Sequence, residues 1–208
     1  MIPALSEVCD RNAWDPLAIE AVVSLETGGT MAPDAGIVNW TPKRTAIGLL
    51  QWTEGTLRQL DVPATDEAPR DDLRKYGGRW RTWNLAGFEF EDQCRLLERF
   101  YIRAFGSRRP TRPVDYYLAP WGAAPGLALG TVLAVKGDGI YEQSASLDYD
   151  GDGKIRVKDL ARHVRRRMGE LSRARPEASL VIPSPITLGG VLVTVGFKVI
   201  QRRMFLGL

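Results

Sequence analysis

Glu26 is the residue whose type and setting fit general acid–base chemistry. It continues the apolar face of Ile19, Val22 and Val23 at helical spacing, and Thr27-Gly28-Gly29 follows it. A carboxyl that protonates a leaving oxygen near neutral pH needs a raised pKa. Burial beside an apolar stripe raises it, and so does the negative end of a helix dipole. The same position also fits a solvated helix-end residue, so Glu26 alone does not define a site. Other chemistries are narrowed by composition. The chain has one histidine, His163, and two cysteines, Cys9 and Cys94. A Ser-His-Asp or Cys-His centre is excluded unless His163 serves it, and multi-histidine zinc sites are excluded outright. Neither cysteine lies in a Cys-x-x-Cys pair, and both sit in helix-like sequence, so two free buried thiols are expected.

Several elements must position Glu26. Residues 3–12 read as a short helix. Asp15-Pro16 opens a second, with aspartate at the N-cap and proline at the first helical position; Gly28 and Gly29 end it. A loop runs from Thr30 to about Thr45. Thr53 and Glu54 open a helix through Leu60, residues 61–70 form a connection, and residues 71–83 are polar and aromatic with Trp80 and Trp83. Phe90, Cys94, Leu97 and Tyr101 mark the strongest helical period, over 88–105. Two short apolar runs follow around Pro120-Trp121-Gly122, and an Arg-rich helix extends to about Arg173. Little β alternation precedes residue 180. The fold class expected is mainly α.

Glu26-Thr27-Gly28-Gly29 and Ala46-Ile47-Gly48-Leu49-Leu50-Gln51 together resemble the Glu-Ser-Gly-Gly and Ala-x-Gly-Leu-Met-Gln motifs of the soluble-lytic-transglycosylase-like family, whose lysozyme-like fold is shared with goose-type lysozymes. Thr56 fits the continuation of the second motif, with Glu54 in place of a proline. Asp115-Tyr116-Tyr117-Leu118-Ala119-Pro120 falls where the family carries an aromatic before Asn-Ala-Gly, and Tyr141-Glu142-Gln143-Ser144 is similar to the end of its phage-type version. The similarity spans residues 5 to 170. It implies a lysozyme-like domain that cleaves the β-1,4 bond between N-acetylmuramic acid and N-acetylglucosamine in peptidoglycan, with Glu26 as acid and then base. Gly48, Leu49 and Gln51 would line the cleft. Tyr117 would face the cleft near Glu26, with Tyr116 equally reachable. Intramolecular attack by the muramic C6 hydroxyl needs no second carboxylate. A hydrolytic muramidase would need one, for which Asp34 and Glu54 are the candidates.

A separate pattern lies at 148–159. Asp148, Asp150, Asp152, Gly153, Ile155 and Asp159 match positions 1, 3, 5, 6, 8 and 12 of an EF-hand loop, with the Lys154 carbonyl at position 7. Such a loop is expected to hold Ca2+ as a structural staple; no second hand is present to make it a sensor, and catalysis requires no cofactor. The alternative is an Asp/Gly-rich turn that caps the Arg-rich helix.

The remaining sequence bears on partners. Net charge is only +3, but Arg162, Arg165, Arg166, Arg167, Arg173 and Arg175 crowd one stretch. This reads as a solvated face rather than a nucleic-acid site, since no nucleic-acid motif accompanies it. His163 reads as a helix residue. Residues 1–175 form the expected enzymatic domain, and 176–208 a linker with an apolar segment. That segment, 186–198, is shorter than the ~20 apolar residues of a spanning helix. It reads as an element docked on a partner, a membrane-active tail or part of the body. No secretory signal is visible. The combination gives the expectation of a phage-tail enzyme that opens the cell wall during genome delivery and is held to virion tail proteins, or touches membrane, through 176–208. The other expectation is a virion assembly protein whose lysozyme-like domain is inactive.

Overall fold

The computed structural model describes residues 2–175, and these are mainly α-helical. The apolar 186–198 segment lies outside the described residues. Helix α1 spans Pro3–Asn12 and α2 spans Pro16–Glu26. The Asp15 Oδ1 accepts from the backbone N–H of Leu17 and Ala18, the N-cap arrangement that the Asp-Pro pair implies. Helix α3 is Glu54–Gln59, capped by Thr53, and α5 is Phe90–Phe105. The segment 71–83, read from sequence only as polar and aromatic, contains a 3-10 turn over Asp71–Tyr76 and the start of α4, Arg81–Ala86. Tertiary packing explains this. Trp40, Trp80 and Trp83 form an aromatic cluster with ring centroids 5.1–6.1 Å apart. The Trp40 Nε1–H donates to Thr82 Oγ1 at 3.1 Å.

Helices α6 (Pro113–Leu118), α7 (Gly139–Ser144) and α8 (Val157–Ala174) complete the α-helices among the described residues. Helix α8 packs against both α2 and α6, so the Arg-rich helix is also a core element. Its inner face buries Val157, Leu160, Ala161 and Val164, while Arg162, Arg165 and Arg166 stay exposed. Two strands lie in a region that the sequence had left without β structure. Strand β1 (Val132–Val135) pairs antiparallel with β2 (Lys154–Arg156), placing Ala134 opposite Ile155 with both side chains buried. The first backbone N–H groups of α8 are satisfied from the same region: Val157 donates to Thr131 O and Lys158 to Leu129 O.

Cys9 and Cys94 are free and buried, as expected, and burial pushes each thiol up to about 12. Asp115, the one aspartate inside α6, is 1% exposed. Burial alone would raise its pKa. Four donors outweigh that and hold it below the ordinary value: Arg112 Nη2, and the backbone N–H of Gly126, Thr111 and Arg112. One carboxylate therefore fixes the start of α6 to the loop after it. Asp115→Ala should cost about 3 kcal/mol in urea unfolding, because it strands buried donors and a paired guanidinium.

Candidate active site

Glu26 is the final residue of α2. Thr27 closes the helix: its hydroxyl donates to Val23 O at 2.8 Å and accepts from the Met31 N–H at 3.0 Å. Gly28 and Gly29 then take positive φ values of 60° and 89°. Gly29 also lies against α8, where an added Cβ would meet Arg167 Nη2 at 2.9 Å. Arg167 is the member of the arginine run that turns inward. Its Nε and Nη2 donate to Ser24 Oγ at 2.9 and 2.6 Å, and its Nη1 pairs with Glu170 at 2.8 Å. The guanidinium thus sits by the last turn of α2, where the helix dipole favours a cation.

The Glu26 side chain is half-buried, and burial pushes its pKa up to about 7; the Tyr117 hydroxyl, within hydrogen-bonding reach, pulls in the other direction. Tyr101, fully enclosed, lies close enough for its own ionisation to feel Glu26. Helix α6 presents two consecutive tyrosines, and they go to different places. The Tyr116 hydroxyl accepts from the Asp15 N–H at 2.9 Å, at the start of α2. Tyr117, 7% exposed, meets Glu26 at the other end. Burial raises the Tyr117 pKa, as does the neighbouring carboxylate, so it remains a phenol and a donor. The Trp121 side chain is within reach of the same hydroxyl. Trp121 and His163 were not singled out for the site from sequence. His163 stacks on Tyr117 with centroids 6.3 Å apart and planes 22° apart.

The Gly48-Leu49-Leu50-Gln51 segment is a tight turn closed by the Gln51 N–H to Gly48 O at 3.1 Å, between the paired residues Ile47 and Trp52. Gly48 has φ 85°, and an added Cβ would collide with Gln93 Oε1. That oxygen accepts the Leu49 N–H at 3.0 Å, while Gln93 Nε2 donates to Pro33 O. Leu49 is buried, so its side chain belongs to the core. Gln51 Nε2 donates to Ala35 O at 3.1 Å and Gly48 O at 3.2 Å. The first contact ties this turn to the loop that leaves Glu26, the second closes the turn on itself, and the carbonyl oxygen of Gln51 is its remaining side-chain polar group. Of the two candidate second carboxylates, Glu54 Oε1 accepts from the Thr82 N–H and Oγ1 at 2.9 and 3.0 Å, where it caps α4. Asp34 is exposed in the loop.

The aspartate loop divides. Carboxylate oxygens of Asp148, Asp150 and Asp152 lie within 4.8 Å of one another, a group that could hold a metal ion. Asp159 is not among them. It is buried and its Oδ2 accepts the Arg156 N–H at 2.8 Å, capping α8. Lys154 lies in β2 opposite Val135. Arg156 and Lys158 ion-pair with Asp152 and Asp150, both at 2.6 Å, and Asp148 accepts from Tyr141 Oη, Gly151 N and Gly153 N. The position-8 residue Ile155 pairs with β1, where a sensor hand would pair with a second hand.

No protein-family model matches this chain, and no curated protein matches it. The site therefore stands on its geometry.

The raised carboxyl gives a substrate-free test. A neutral Glu26 is compatible with its surroundings and an ionised one is not, so its contribution is intact below the unfolded pKa near 4.5 and lost as pH rises through about 7. Glu26→Gln should match wild-type stability at pH 4 and exceed it at pH 8, by up to about 3 kcal/mol in denaturant unfolding. Equal stability at both pH values would contradict the burial of this carboxyl.

Proposed function

We propose that this chain is a peptidoglycan lytic transglycosylase with a lysozyme-like domain. The observation that carries the reading is a single half-buried carboxyl whose pKa is raised to about 7 at the glycine-flanked end of α2, with a phenol donor beside it. Protonated Glu26 gives its proton to the glycosidic oxygen between N-acetylmuramic acid and N-acetylglucosamine. The C–O bond breaks and the electron pair leaves on that oxygen. The Glu26 carboxylate then takes the proton of the muramic C6 hydroxyl as O6 bonds to the anomeric carbon. The product carries a 1,6-anhydro ring, and Glu26 ends protonated as it began. A pKa near 7 suits a group that must give and retake one proton in a single turnover. The Tyr117 hydroxyl favours the carboxylate in the second half, and the Gln51 carbonyl oxygen offers an acceptor to the sugar.

Glu54 is engaged at α4 and Asp34 is exposed, which favours the mechanism that needs no second carboxylate. On purified peptidoglycan, Glu26→Gln should reduce muropeptide release about a hundred- to ten-thousand-fold. Mass spectrometry should find products one water lighter than hydrolysis products. Full-mass products would make the enzyme a muramidase. Equal release by wild type and variant would remove Glu26 from the chemistry, and no release by either would favour a virion assembly role. Wild-type activity should fall as pH rises through about 7, because the acid form is lost.

We assign the aspartate loop to Ca2+ as a structural ion held by Asp148, Asp150 and Asp152. A bound ion would neutralise these carboxylates in exchange for their pairs with Arg156 and Lys158. At a hundredfold excess over Kd, Ca2+ should raise Tm by roughly 5–10 °C, and Asp148→Asn should abolish the rise. An unchanged Tm in both proteins would leave the loop as a cap for α8. The setting proposed is a phage virion, with the wall opened locally during genome delivery.

A further inference from the structure

His163 has no place in the chemistry above, yet it is the residue against which Tyr117 rests. Its ring stacks on Tyr117 and its Nδ1 lies 2.8 Å from the Tyr149 hydroxyl. Arg166 Nη2 approaches the same nitrogen at 3.4 Å. A guanidinium can only donate, so Nδ1 is the acceptor and the proton of the neutral ring is on Nε2. Tyr149 is itself held: the Arg162 guanidinium lies 4.6 Å over its ring. The order in space is Arg162, Tyr149, His163, Tyr117, Glu26. It joins α8, the aspartate loop, α6 and α2, and only Arg162 and His163 among these residues are neighbours in sequence. Tyr117 reaches Glu26 from a short helix, and a stacked neighbour gives one face of its ring a wall. The imidazole is that wall, and the Tyr149 hydroxyl fixes the imidazole.

We propose that His163, held by Tyr149, is a positioning residue that keeps the Tyr117 hydroxyl on Glu26. This rests on the reading of Glu26 and Tyr117 as the reacting pair, but its central test needs no substrate. The groups facing Glu26 are Tyr117 from α6 and Tyr101 from α5. Those facing His163 are Tyr149, Arg166 and Glu170.

The test is a carboxyl 13C NMR titration of Glu26 in the full chain. Tyr117→Phe removes a donor to the carboxylate and should move the Glu26 midpoint upward from about 7. His163→Ala should move it in the same direction by about half a pH unit or more. His163→Phe restores a ring and should recover most of the wild-type midpoint. Tyr149→Phe removes one oxygen and should give a smaller upward shift, with the 15N signals of the single histidine losing their hydrogen-bonded Nδ1 signature. A Glu26 midpoint unmoved by His163→Ala, while Tyr117→Phe raises it, would overturn the proposal. If His163→Ala fails to fold, Tyr149→Phe decides: no shift in Glu26 or His163 overturns it equally. On peptidoglycan, His163→Ala should lower kcat several-fold with KM unchanged. A wild type without glycan-cleaving activity would count against the proposed reaction and leave the NMR result to judge the brace.

Discussion

Helix α6 grips α2 at both ends through consecutive tyrosines, and the rest of the site depends on that grip. Tyr116 accepts the Asp15 N–H where α2 begins, and Tyr117 meets Glu26 where it stops. The two side chains leave a six-residue helix in different directions, so rotation or sliding of α6 would break one contact or the other. Asp115 supplies the opposing restraint, since it holds the Gly126 N–H of the loop after α6 together with three donors from Thr111 and Arg112 before it. A buried carboxyl costs stability wherever it ionises, and only a rigid frame keeps such a group from relaxing into water. The frame is built from neutral tyrosines and one fully satisfied aspartate. Neither places a cation directly on Glu26 that would return its pKa to the ordinary range.

The sequence made some of this legible, and the division has physical causes. Helices α1, α2, α5 and α8 carry their signals locally: Pro3, the Asp15-Pro16 cap, the Phe90–Tyr101 period and the apolar stripe through Val157, Leu160 and Val164. Gly48 stood out through the motif resemblance as a cleft-lining residue, whereas the structure uses it for a turn with φ of 85° where Gln93 takes the place of a side chain. Helix α4 and strands β1 and β2 were not readable. Their stability comes from partners distant in the chain, Trp40 and Glu54 for α4 and the Ala134–Ile155 pairing for the strands. The aspartate spacing was visible, but the diversion of Asp159 to the α8 cap was not. A carboxylate at a helix start and a carboxylate at position 12 of an ion loop look the same in one dimension.

The same limit applies to the candidate site. Glu26 and Tyr117 stood out by type and motif, whereas Trp121 and His163 gain meaning only from a third residue, Tyr117, that both touch. Gln51 was legible as important, though its amide is used on Ala35 and Gly48 carbonyls rather than left open. The arginine run had read as a uniform solvated face. Helix geometry divides it, because Arg167 points to Ser24 while Arg162 and Arg166, though exposed, lie against Tyr149 and His163.

Arg156 and Lys158 give the aspartate loop a second character. Each stands within 2.6 Å of a carboxylate that an ion would also want. A loop of this kind is self-neutralised: its acidic oxygens do not repel one another into disorder when divalent ions are scarce. An ion held there, as proposed, would exchange for two side chains rather than organise an unstructured segment. Folding is thereby separated from ion supply: the loop is already ordered by its own cations, and the ion would add stability while freeing two positive charges at the surface.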